Sequence, residues 1–466
     1  MAQKAREKVH ISFMELPGDT LTPVSIFQKI SGERKFLLES SLWQTDAGRY
    51  SYIGAEPSFE LISKGTKNRL VKADGKESLI EGEPLKILGD LLPQIETNTV
   101  IPPFFGGAAG YAGYDLIRFY EEIGPEYGDE LDMPDSHFMF FEEVIVYDHH
   151  EQKVYVTGIP LDGAEMVEGL AQRHEKRKKE LLEPTQAVSP APFEIGTFKE
   201  SITKNDYMEK VDEIKKHIEE GDIFQAVLSQ RLSAIFDGDC FSCYRKLRTL
   251  NPSPYMFYFE FGEYTVMGVS PESLVRTSGR TVFANPIAGT RPRGETVLTD
   301  NALEIELKQD EKELAEHRML VDLGRNDLGR ICEYNSIQIS KYLEIEKYRY
   351  VMHLVSELKG TLGEEKFSLD ALAACLPAGT VTGAPKIKAM QIINDQEKQN
   401  RGLYSGAIGY ISASGDIDFA LAIRTLIIKG GIAYIQAGAG IVHDSKPENE
   451  YEETMNKMKA FREGLA

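Results

Sequence analysis

The stretch GAIGYISASGDIDFALAIRTLIIKGGIAYIQ, residues 406–436, carries the clearest fold signal in this 466-residue chain. Its apolar runs at 406–411, 421–428 and 432–436 are typical of β-strands. Elsewhere apolar residues recur at helical spacing. Strands and helices therefore mix without regular βαβ alternation, which predicts an α+β protein and disfavours a doubly wound nucleotide-binding fold.

Four helices are predicted from capping and proline signals. One begins at Asn205 and ends at Gly221, and one long acidic helix opens at Thr299 and runs toward Leu320. A third has Pro385 in its first turn and runs to about Gln396. The last begins after Pro447.

Composition divides the chain near residue 185. A highly charged segment, 173–183, gives way to PTQAVSPAP at 184–192, which cannot continue a helix. We therefore predict an N-terminal region at 1–185, a linker at 186–200 and a C-terminal domain at 201–466.

The overall charge excludes two classes of partner. With 53 Lys and Arg against 73 Asp and Glu, the net charge is −20, which argues against nucleic acid and against anionic membranes.

No apolar run of about 18 residues could span a bilayer, and no signal-peptide core follows the N-terminus. Four cysteines do not make a disulfide scaffold. We expect a cytoplasmic protein.

Two glycine motifs do not support nucleotide binding. GTVTGAPK at 379–386 has the wrong spacing for a P-loop, and GAG at 438–440 lacks the third glycine of the dinucleotide motif. The turn before Pro385 could instead form an anion-binding nest of amides, with Thr380, Thr382 and Lys386 nearby.

Two pairs of glutamates stand three residues apart on predicted helices, Glu313 with Glu316 and Glu450 with Glu453. Residues at this spacing share a helix face, so each pair presents two carboxylates to one spot. Either pair alone could be a solvated acidic face. Two such pairs from different helices would suit Mg²⁺, which prefers oxygen ligands.

Other candidates suit a small carboxylated ligand, each with a structural alternative. Arg424 in an apolar run is either a buried ion pair or a carboxylate clamp. His353 is either a satisfied core histidine or a base, and Tyr404 could be ordinary core. PIAGTRPR at 286–293 is a turn by its Pro and Gly content, and could equally be an oxyanion-type cradle.

Several strings in a fixed order resemble the chorismate-utilising enzymes over nearly all of 205–466. They are GDIFQ at 221–225, NPSPYMF at 251–257, SPE at 270–272, PIAGT at 286–290, EHRMLVDL at 316–323, VMH at 351–353, GTVTGAPK at 379–386 and GAGIV at 438–442. FLLES at 36–40 and RYSYIG at 49–54 resemble the N-terminal half of anthranilate synthase large subunits. The resemblance implies a large two-layered, β-sandwich-like fold with helices packed outside, and an N-terminal regulatory region.

It also implies roles for individual residues. Mg²⁺ would be held by Glu316 and Glu453, supported by Glu313 and Glu450. Catalytic roles fall to the general acid Glu272, to His353 in pyruvate loss, to Gln225 and to Thr380. The residues that would contact chorismate are Gly289, Thr290, Tyr404, Arg424, Gly438, Gly440 and Lys386.

The resemblance further implies a lyase reaction in which chorismate and ammonia give anthranilate and pyruvate, the first step of tryptophan biosynthesis. Gln225 stands where water-adding relatives carry lysine, which favours ammonia, delivered by a glutamine amidotransferase subunit. The alternative within the family is an aminodeoxychorismate synthase component I. From other classes, a metal-dependent hydrolase and a non-catalytic amino-acid-binding regulatory protein stay open.

A feedback site for tryptophan is implied by residues near the N-terminus and after the Pro-rich turn. They are Leu38, Glu39, Ser40, Pro254, Tyr255, Met256 and Phe257. A carboxylate for the ammonium, a hydroxyl and apolar walls would suit an indole ligand. The structural alternative is a strand end packed against a turn.

Overall fold

The computed structural model describes residues 11–41, 48–93, 95, 102–161, 167–184, 190–348 and 351–465, with backbone alone at 167 and 168. The strands are β1 Ser12–Pro17, β2 Phe36–Glu39, β3 Tyr50–Gly54, β4 Phe59–Lys64, β5 Lys67–Lys72, β6 Glu77–Glu81, β7 Gly107–Ala112, β8 Ser136–Phe141, β9 Glu143–Asp148, β10 Lys153–Gly158, β11 Phe193–Ile195, β12 Lys199–Glu200, β13 Gln225–Gly238, β14 Tyr255–Glu260, β15 Tyr264–Ser270, β16 Ser273–Ser278, β17 Thr281–Ala284, β18 Ile287–Pro292, β19 Gln338–Lys347, β20 Val351–Thr361, β21 Gly383–Ala384, β22 Ala407–Ser412, β23 Ile417–Leu421, β24 Thr425–Lys429 and β25 Ile432–Ile441.

The α-helices are α1 Pro23–Lys29, α2 Pro84–Leu91, α3 Val167–Leu182, α4 Lys204–Glu219, α5 Cys240–Leu250, α6 Val297–Gln309, α7 Glu311–Gly329, α8 Ser368–Cys375, α9 Lys386–Glu397, α10 Pro447–Lys457 and α11 Lys459–Arg462. Short 3₁₀ helices lie at Tyr114–Phe119 and Gly379–Val381.

The described strands form two antiparallel sheets. The first runs β1-β10-β9-β3-β2-β14-β15-β24-β25-β13-β11, with β12 and β21 also paired to β13. The second runs β18-β20-β17-β16-β23-β22-β7-β8-β4-β5-β6, with β19 paired to β20. Each sheet contains strands from both sides of the predicted linker. The division into 1–185 and 201–466 stays a prediction, and residues 186–189 lie outside the described structure.

Three apolar cores hold the two sheets and the helices together, one between the sheets and one on the outer face of each. Between the sheets lie Phe36 and Phe257 of the first and Tyr111 and Tyr410 of the second. The outer face of the first sheet packs on α1, α4, α5, α9 and α10, and the outer face of the second packs on α2, α7 and α8. The predicted two-layered sandwich with helices outside is therefore confirmed.

The single helix predicted from Thr299 toward Leu320 is wrong, since two helices occupy this stretch. Asp310 separates α6 from α7, and its carboxylate accepts hydrogen bonds from the amides of Lys312 (3.1 Å) and Glu313 (3.2 Å). An Asp side chain that satisfies free amides starts a new helix more readily than it continues an old one. The interruption places Glu313 and Glu316 in the first turns of α7.

Two further predictions of local structure are wrong. The run 421–428 is not one strand, because it breaks between β23 and β24, where Arg424 has a left-handed backbone with φ of 49°. The segment 286–293 is not a turn but contains strand β18, whose register shifts beside Gly289 at φ of 65°. Both irregularities fall at residues predicted to bind substrate, where backbone strain is often concentrated.

Within the described part of the chain, no helix is both long enough and apolar enough to cross a membrane.

Candidate functional site

A cavity of about 200 Å³ opens where the two sheets meet the 3₁₀ helix Gly379–Val381 and helix α10. It collects predicted residues from distant parts of the sequence, namely Glu272, Thr290, His353, Thr380, Tyr404, Arg424 and Gly438. Apolar walls with a few convergent polar groups are typical of a small-molecule site.

Glu272 lies at the crossing between the sheets, just after β15 and just before β16. Its side chain is buried, and its Oε1 accepts a hydrogen bond of 2.8 Å from the Thr380 hydroxyl. Burial raises the pKa of Glu272 to about 7, while the Thr380 bond and the charges of Arg424 and Lys457 oppose the rise. A carboxyl with this pKa can hold a proton near neutral pH and donate it.

Arg424 lines the same cavity from the break between β23 and β24. Its guanidinium makes no hydrogen bond or ion pair to any residue that the structure describes, and burial lowers its pKa against the opposing charge of Glu272. A largely buried cation without a partner is costly, and a ligand carboxylate would compensate for that cost. The geometry thus favours the carboxylate-clamp hypothesis over the buried structural ion pair.

His353 on β20 faces Thr290 on β18. Its Nδ1 lies 2.9 Å from the Thr290 hydroxyl and 3.3 Å from the Gly289 carbonyl oxygen. Since a carbonyl only accepts, this contact assigns the ring hydrogen to Nδ1 and leaves a lone pair on Nε2. Burial lowers the pKa of His353, so the ring is neutral near pH 7.

Gln225 and Gly440 lie beside the cavity rather than on its wall. They stand next to each other, because a Cβ on Gly440 would come within 2.4 Å of the Gln225 Nε2. The Gln225 side chain hydrogen-bonds Glu316. This bond links the substrate half of the predicted site to its carboxylate half.

The four glutamates of the carboxylate half come from α7 and α10, as predicted. Burial and the charge of neighbouring Glu313 raise the pKa of Glu316, with a further contribution from Glu453. Burial also raises the pKa of Glu450, again with Glu453 contributing. Carboxylates from two helices that raise each other's pKa in this way have the donor chemistry of a hard divalent cation site.

The carboxylates do not close tightly around one point. Among the residues that the structure describes, the one group of His, Cys, Asp and Glu with at least three ligand atoms within 4.8 Å of each other is His217, Glu220 and Asp222. Glu313 instead contacts Arg291 (3.3 Å) and Glu453 contacts Lys457 (2.8 Å). By residue type, the four carboxylates fit a divalent cation.

The structure places two lysines differently from the site predicted from the sequence. Lys386 was predicted to contact substrate, but its Nζ lies 2.7 Å from the Asp327 carboxylate in a mostly buried pair, and it does not line the cavity. Lys457, absent from the prediction, does line the cavity and donates to the Gly438 carbonyl (2.9 Å). Its position four residues after Glu453 on the same helix face was the available signal.

A second, larger pocket of about 1110 Å³ lies against the outer face of the first sheet. Glu39, Ser40 and Met256 of the predicted inhibitor site line it. Glu39 is buried and accepts hydrogen bonds from the Tyr244 hydroxyl (2.8 Å) and the Arg248 guanidinium (2.8 Å).

The rest of the predicted inhibitor site does not line this pocket. Met256 pairs with Glu39 across β14 and β2, and Phe257 pairs with Leu38. Successive side chains on a strand point to opposite faces. Leu38, Tyr255 and Phe257 therefore pack into the core between the sheets. Pro254 is also outside the lining.

Comparison with known proteins defines the class. The profile of the family described as chorismate binding enzyme matches residues 38–463, and the chain belongs to this family. Anthranilate synthase component 1 of Acetivibrio thermocellus is 42% identical, with 97% of this chain and 94% of the relative covered. Anthranilate synthase component 1 of Lactococcus lactis is 43% identical, with 95% and 97% covered.

Solved structures agree with this grouping. Anthranilate synthase component I from Streptococcus pneumoniae superposes with a TM-score of 0.82 at 41% identity, and both chains are covered completely. The isochorismate synthase MenF of Escherichia coli superposes with a TM-score of 0.74 at 19% identity, over 100% of this chain and 97% of MenF, which shows a shared fold alone. The resemblance to anthranilate synthase component I is confirmed.

Proposed function

We propose that this chain is the large subunit of an anthranilate synthase, a lyase of the first step of tryptophan biosynthesis. It would convert chorismate and ammonia into anthranilate, pyruvate and water. The observation that carries the proposal is the pairing, in one cavity, of a buried carboxyl that can hold a proton, Glu272, with the guanidinium of Arg424, which bonds no residue that the structure describes. The full-length similarity to anthranilate synthase component 1 proteins supports the choice of product.

Substrate binding would begin with the enolpyruvyl carboxylate of chorismate on Arg424. A planar guanidinium can form two parallel bonds to a carboxylate. Tyr404 stands on the same cavity, with its phenol oxygen 2.9 Å from where a Cβ on Gly438 would lie. A glycine at 438 therefore keeps space for this hydroxyl and for the ligand.

The first chemical step would use the proton on Glu272. This proton passes to the C4 oxygen of chorismate, the C4–O bond breaks, and water leaves. The lone pair of ammonia forms the new bond to C2 as the ring double bonds shift toward C4, and the ammonium formed at C2 gives up one proton, which returns the Glu272 carboxylate to its acid form. Gln225 is uncharged and cannot act as a base for water, which supports ammonia as the nucleophile.

The second step removes pyruvate. The C3–O bond breaks and the proton on C2 must leave so that the ring becomes aromatic. A neutral His353 with a lone pair on Nε2 has the right protonation state to accept that proton.

We also propose that Glu316 and Glu453 hold Mg²⁺, with Glu313 and Glu450 in support. When bound, Mg²⁺ would neutralise the ring carboxylate of chorismate and draw electron density from the ring. The raised pKa of Glu316 beside other carboxylates supports a cation at this place.

Three further proposals concern partners and setting. A glutamine amidotransferase subunit would supply ammonia, and the low cysteine content favours the cytoplasm.

Tryptophan would inhibit from the pocket beside Glu39. A carboxylate has about four lone-pair sites, and Tyr244 and Arg248 each donate to one Glu39 oxygen. Glu39 could therefore also accept the tryptophan ammonium.

The test is to incubate the purified chain with chorismate, ammonium and Mg²⁺ and to follow the product. The expected product is fluorescent anthranilate together with pyruvate, and neither should form when Mg²⁺ is withheld. A non-fluorescent product that keeps its enolpyruvyl group would identify an aminodeoxychorismate synthase instead. No reaction of chorismate would contradict the proposal.

A further inference from the structure

A buried ion pair lies behind the substrate cavity and takes part in none of the steps above. Arg401 is 2% exposed, and its guanidinium forms a bidentate pair with the Glu397 carboxylate. Nη2 donates to Oε1 at 2.6 Å and Nε donates to Oε2 at 2.9 Å. Glu397 is held in turn by the amide and hydroxyl of Ser229, each at 2.8 Å. The pair is therefore fixed on both sides.

The remaining donors of Arg401 reach the walls of the cavity. Nη1 donates to the Val381 carbonyl (2.7 Å) and Nη2 donates to the Val227 carbonyl (2.7 Å). The guanidinium carbon lies 5.5 Å from the centre of the Tyr404 ring, within range of a cation–π contact. Val381, Val227 and Tyr404 all line the substrate cavity.

These three wall residues come from separate elements. Val227 is on β13, Val381 ends the 3₁₀ helix Gly379–Val381, and Tyr404 precedes β22. Val381 directly follows Thr380, whose hydroxyl donates to Glu272. Arg401 therefore contacts the ring of Tyr404, a proposed substrate contact. It also holds the backbone next to Thr380, whose hydroxyl bonds the proposed general acid Glu272.

Stability alone does not explain why an ion pair is buried this deeply. Two charges lose their hydration on burial, and well-packed apolar residues often replace such a pair without loss of stability. Only arginine offers five donors in a rigid plane, whereas the lysine ammonium is a point charge with three donors. The bonds to two carbonyls use this planar shape, and the guanidinium carbon lies within cation–π range of Tyr404 (5.5 Å) and also of Tyr114 (4.9 Å).

We propose that Arg401 is a positioning residue of the chorismate site, which holds Tyr404 and the Thr380–Val381 backbone in the places where they act. The proposal rests on the proposed function. Displacement of a positioned group by about 1 Å can cost about 100-fold in rate. A change at Arg401 should therefore reach the reaction although its guanidinium does not line the cavity.

The test compares Arg401→Lys with Arg177→Lys. Arg177 is equally buried and bonds Glu143 at 2.7 Å, but it lies away from the cavity. Arg401→Lys should lower kcat/KM for chorismate about 10–100-fold and weaken chorismate binding in calorimetry. Arg177→Lys should lower the melting temperature and leave both quantities unchanged.

A second readout follows the Thr380 hydrogen bond to Glu272. This bond favours the ionised carboxylate, so its loss should move the basic limb of the kcat/KM profile to higher pH. The variant leaves unchanged the other charged or titratable groups that line the cavity with Glu272, namely His353, Tyr404, Arg424 and Lys457. A role in stability alone would leave this limb in place.

The possible results distinguish failure of the proposed function from failure of the role proposed for Arg401. If the unmodified chain makes no anthranilate, the proposed function fails, and chorismate calorimetry alone tests Arg401. If Arg401→Lys does not fold, the neutral double variant Glu397→Gln with Arg401→Gln replaces it. Unchanged chorismate binding and turnover in a folded variant would overturn the proposal. Unfolding of both variants would assign Arg401 to stability and would overturn it too.

Discussion

The two cavities of this protein differ in what their charged side chains already contact. In the substrate cavity the Glu272 carboxylate bonds a neutral hydroxyl, and the Arg424 guanidinium bonds no described residue. In the larger pocket, Glu39 bonds both Tyr244 and Arg248. Both glutamates are buried, so depth alone does not separate them.

The difference lies in electrostatic compensation. Burial raises the pKa of a carboxyl that has no bonded cation and lets it transfer a proton near neutral pH, whereas an arginine bonded to a carboxylate opposes that rise and fixes its position. We infer that the smaller cavity performs chemistry and that the larger pocket binds a ligand by shape and polarity. Substitutions should therefore affect turnover in one and ligand affinity in the other.

The largest expected effect is that of Glu272→Gln. The amide keeps the shape but cannot donate a proton with a suitable pKa, and general acid catalysis is worth about 10²–10⁴-fold. We expect kcat to fall by this factor while chorismate still binds, as measured by anthranilate fluorescence and by calorimetry.

The matched control is Glu143→Gln. Glu143 is also buried but is bonded to Arg177 at 2.7 Å, away from both cavities. It should lose stability rather than turnover. Equal losses of kcat in the two variants would show that burial, and not the lack of a cation on Glu272, determines the effect.

The next effect is that of Arg424→Lys. Lysine keeps the charge but loses the paired donors that suit a carboxylate. The loss of one hydrogen bond to a charged group costs about 1.5–3 kcal/mol, which is about 10–100-fold in affinity. KM for chorismate should rise by this factor with a smaller change in kcat. An unchanged KM would place the enolpyruvyl carboxylate elsewhere.

The smallest effect on turnover is expected at Glu39. Glu39→Gln should leave the rate without tryptophan within about twofold, since this side chain lines the larger pocket and not the substrate cavity. It should weaken inhibition by tryptophan about tenfold or more, because a charge-assisted bond is worth about 1.5–3 kcal/mol. Unchanged inhibition would show that the effector ammonium does not meet Glu39.

Much of the fold was predictable because local signals and tertiary packing agree. Apolar runs located β22 and β25, and helix α4 lies within two residues of its predicted bounds at Asn205 and Gly221. Long-range order was not predictable. Strand pairs such as β2 with β14 join residues more than 200 positions apart, and no local pattern encodes such a partner.

The site was predictable where a motif constrained the chemistry, and less so where tertiary context decided. Glu272 and His353 belong to the strings SPE at 270–272 and VMH at 351–353, and the structure places both in one cavity with Arg424, which was predicted from its charge in an apolar run. Lys386 belongs to such a string too, yet it is neutralised by Asp327 from another helix. Lys457 had a signal only in its spacing from Glu453. Arg401 acts through backbone carbonyls, and bonds of this kind leave no trace in residue spacing.

The most direct test of the contrast between the cavities is the pH profile of kcat/KM for chorismate, measured at a fixed concentration of free ammonia. Glu272 must be protonated to act, and its pKa is raised to about 7. We therefore expect kcat/KM to fall about tenfold per pH unit above about pH 7, and Glu272→Gln to lack this limb. A profile that stays level from about pH 6 to 9, or a limb that persists in Glu272→Gln, would contradict the account.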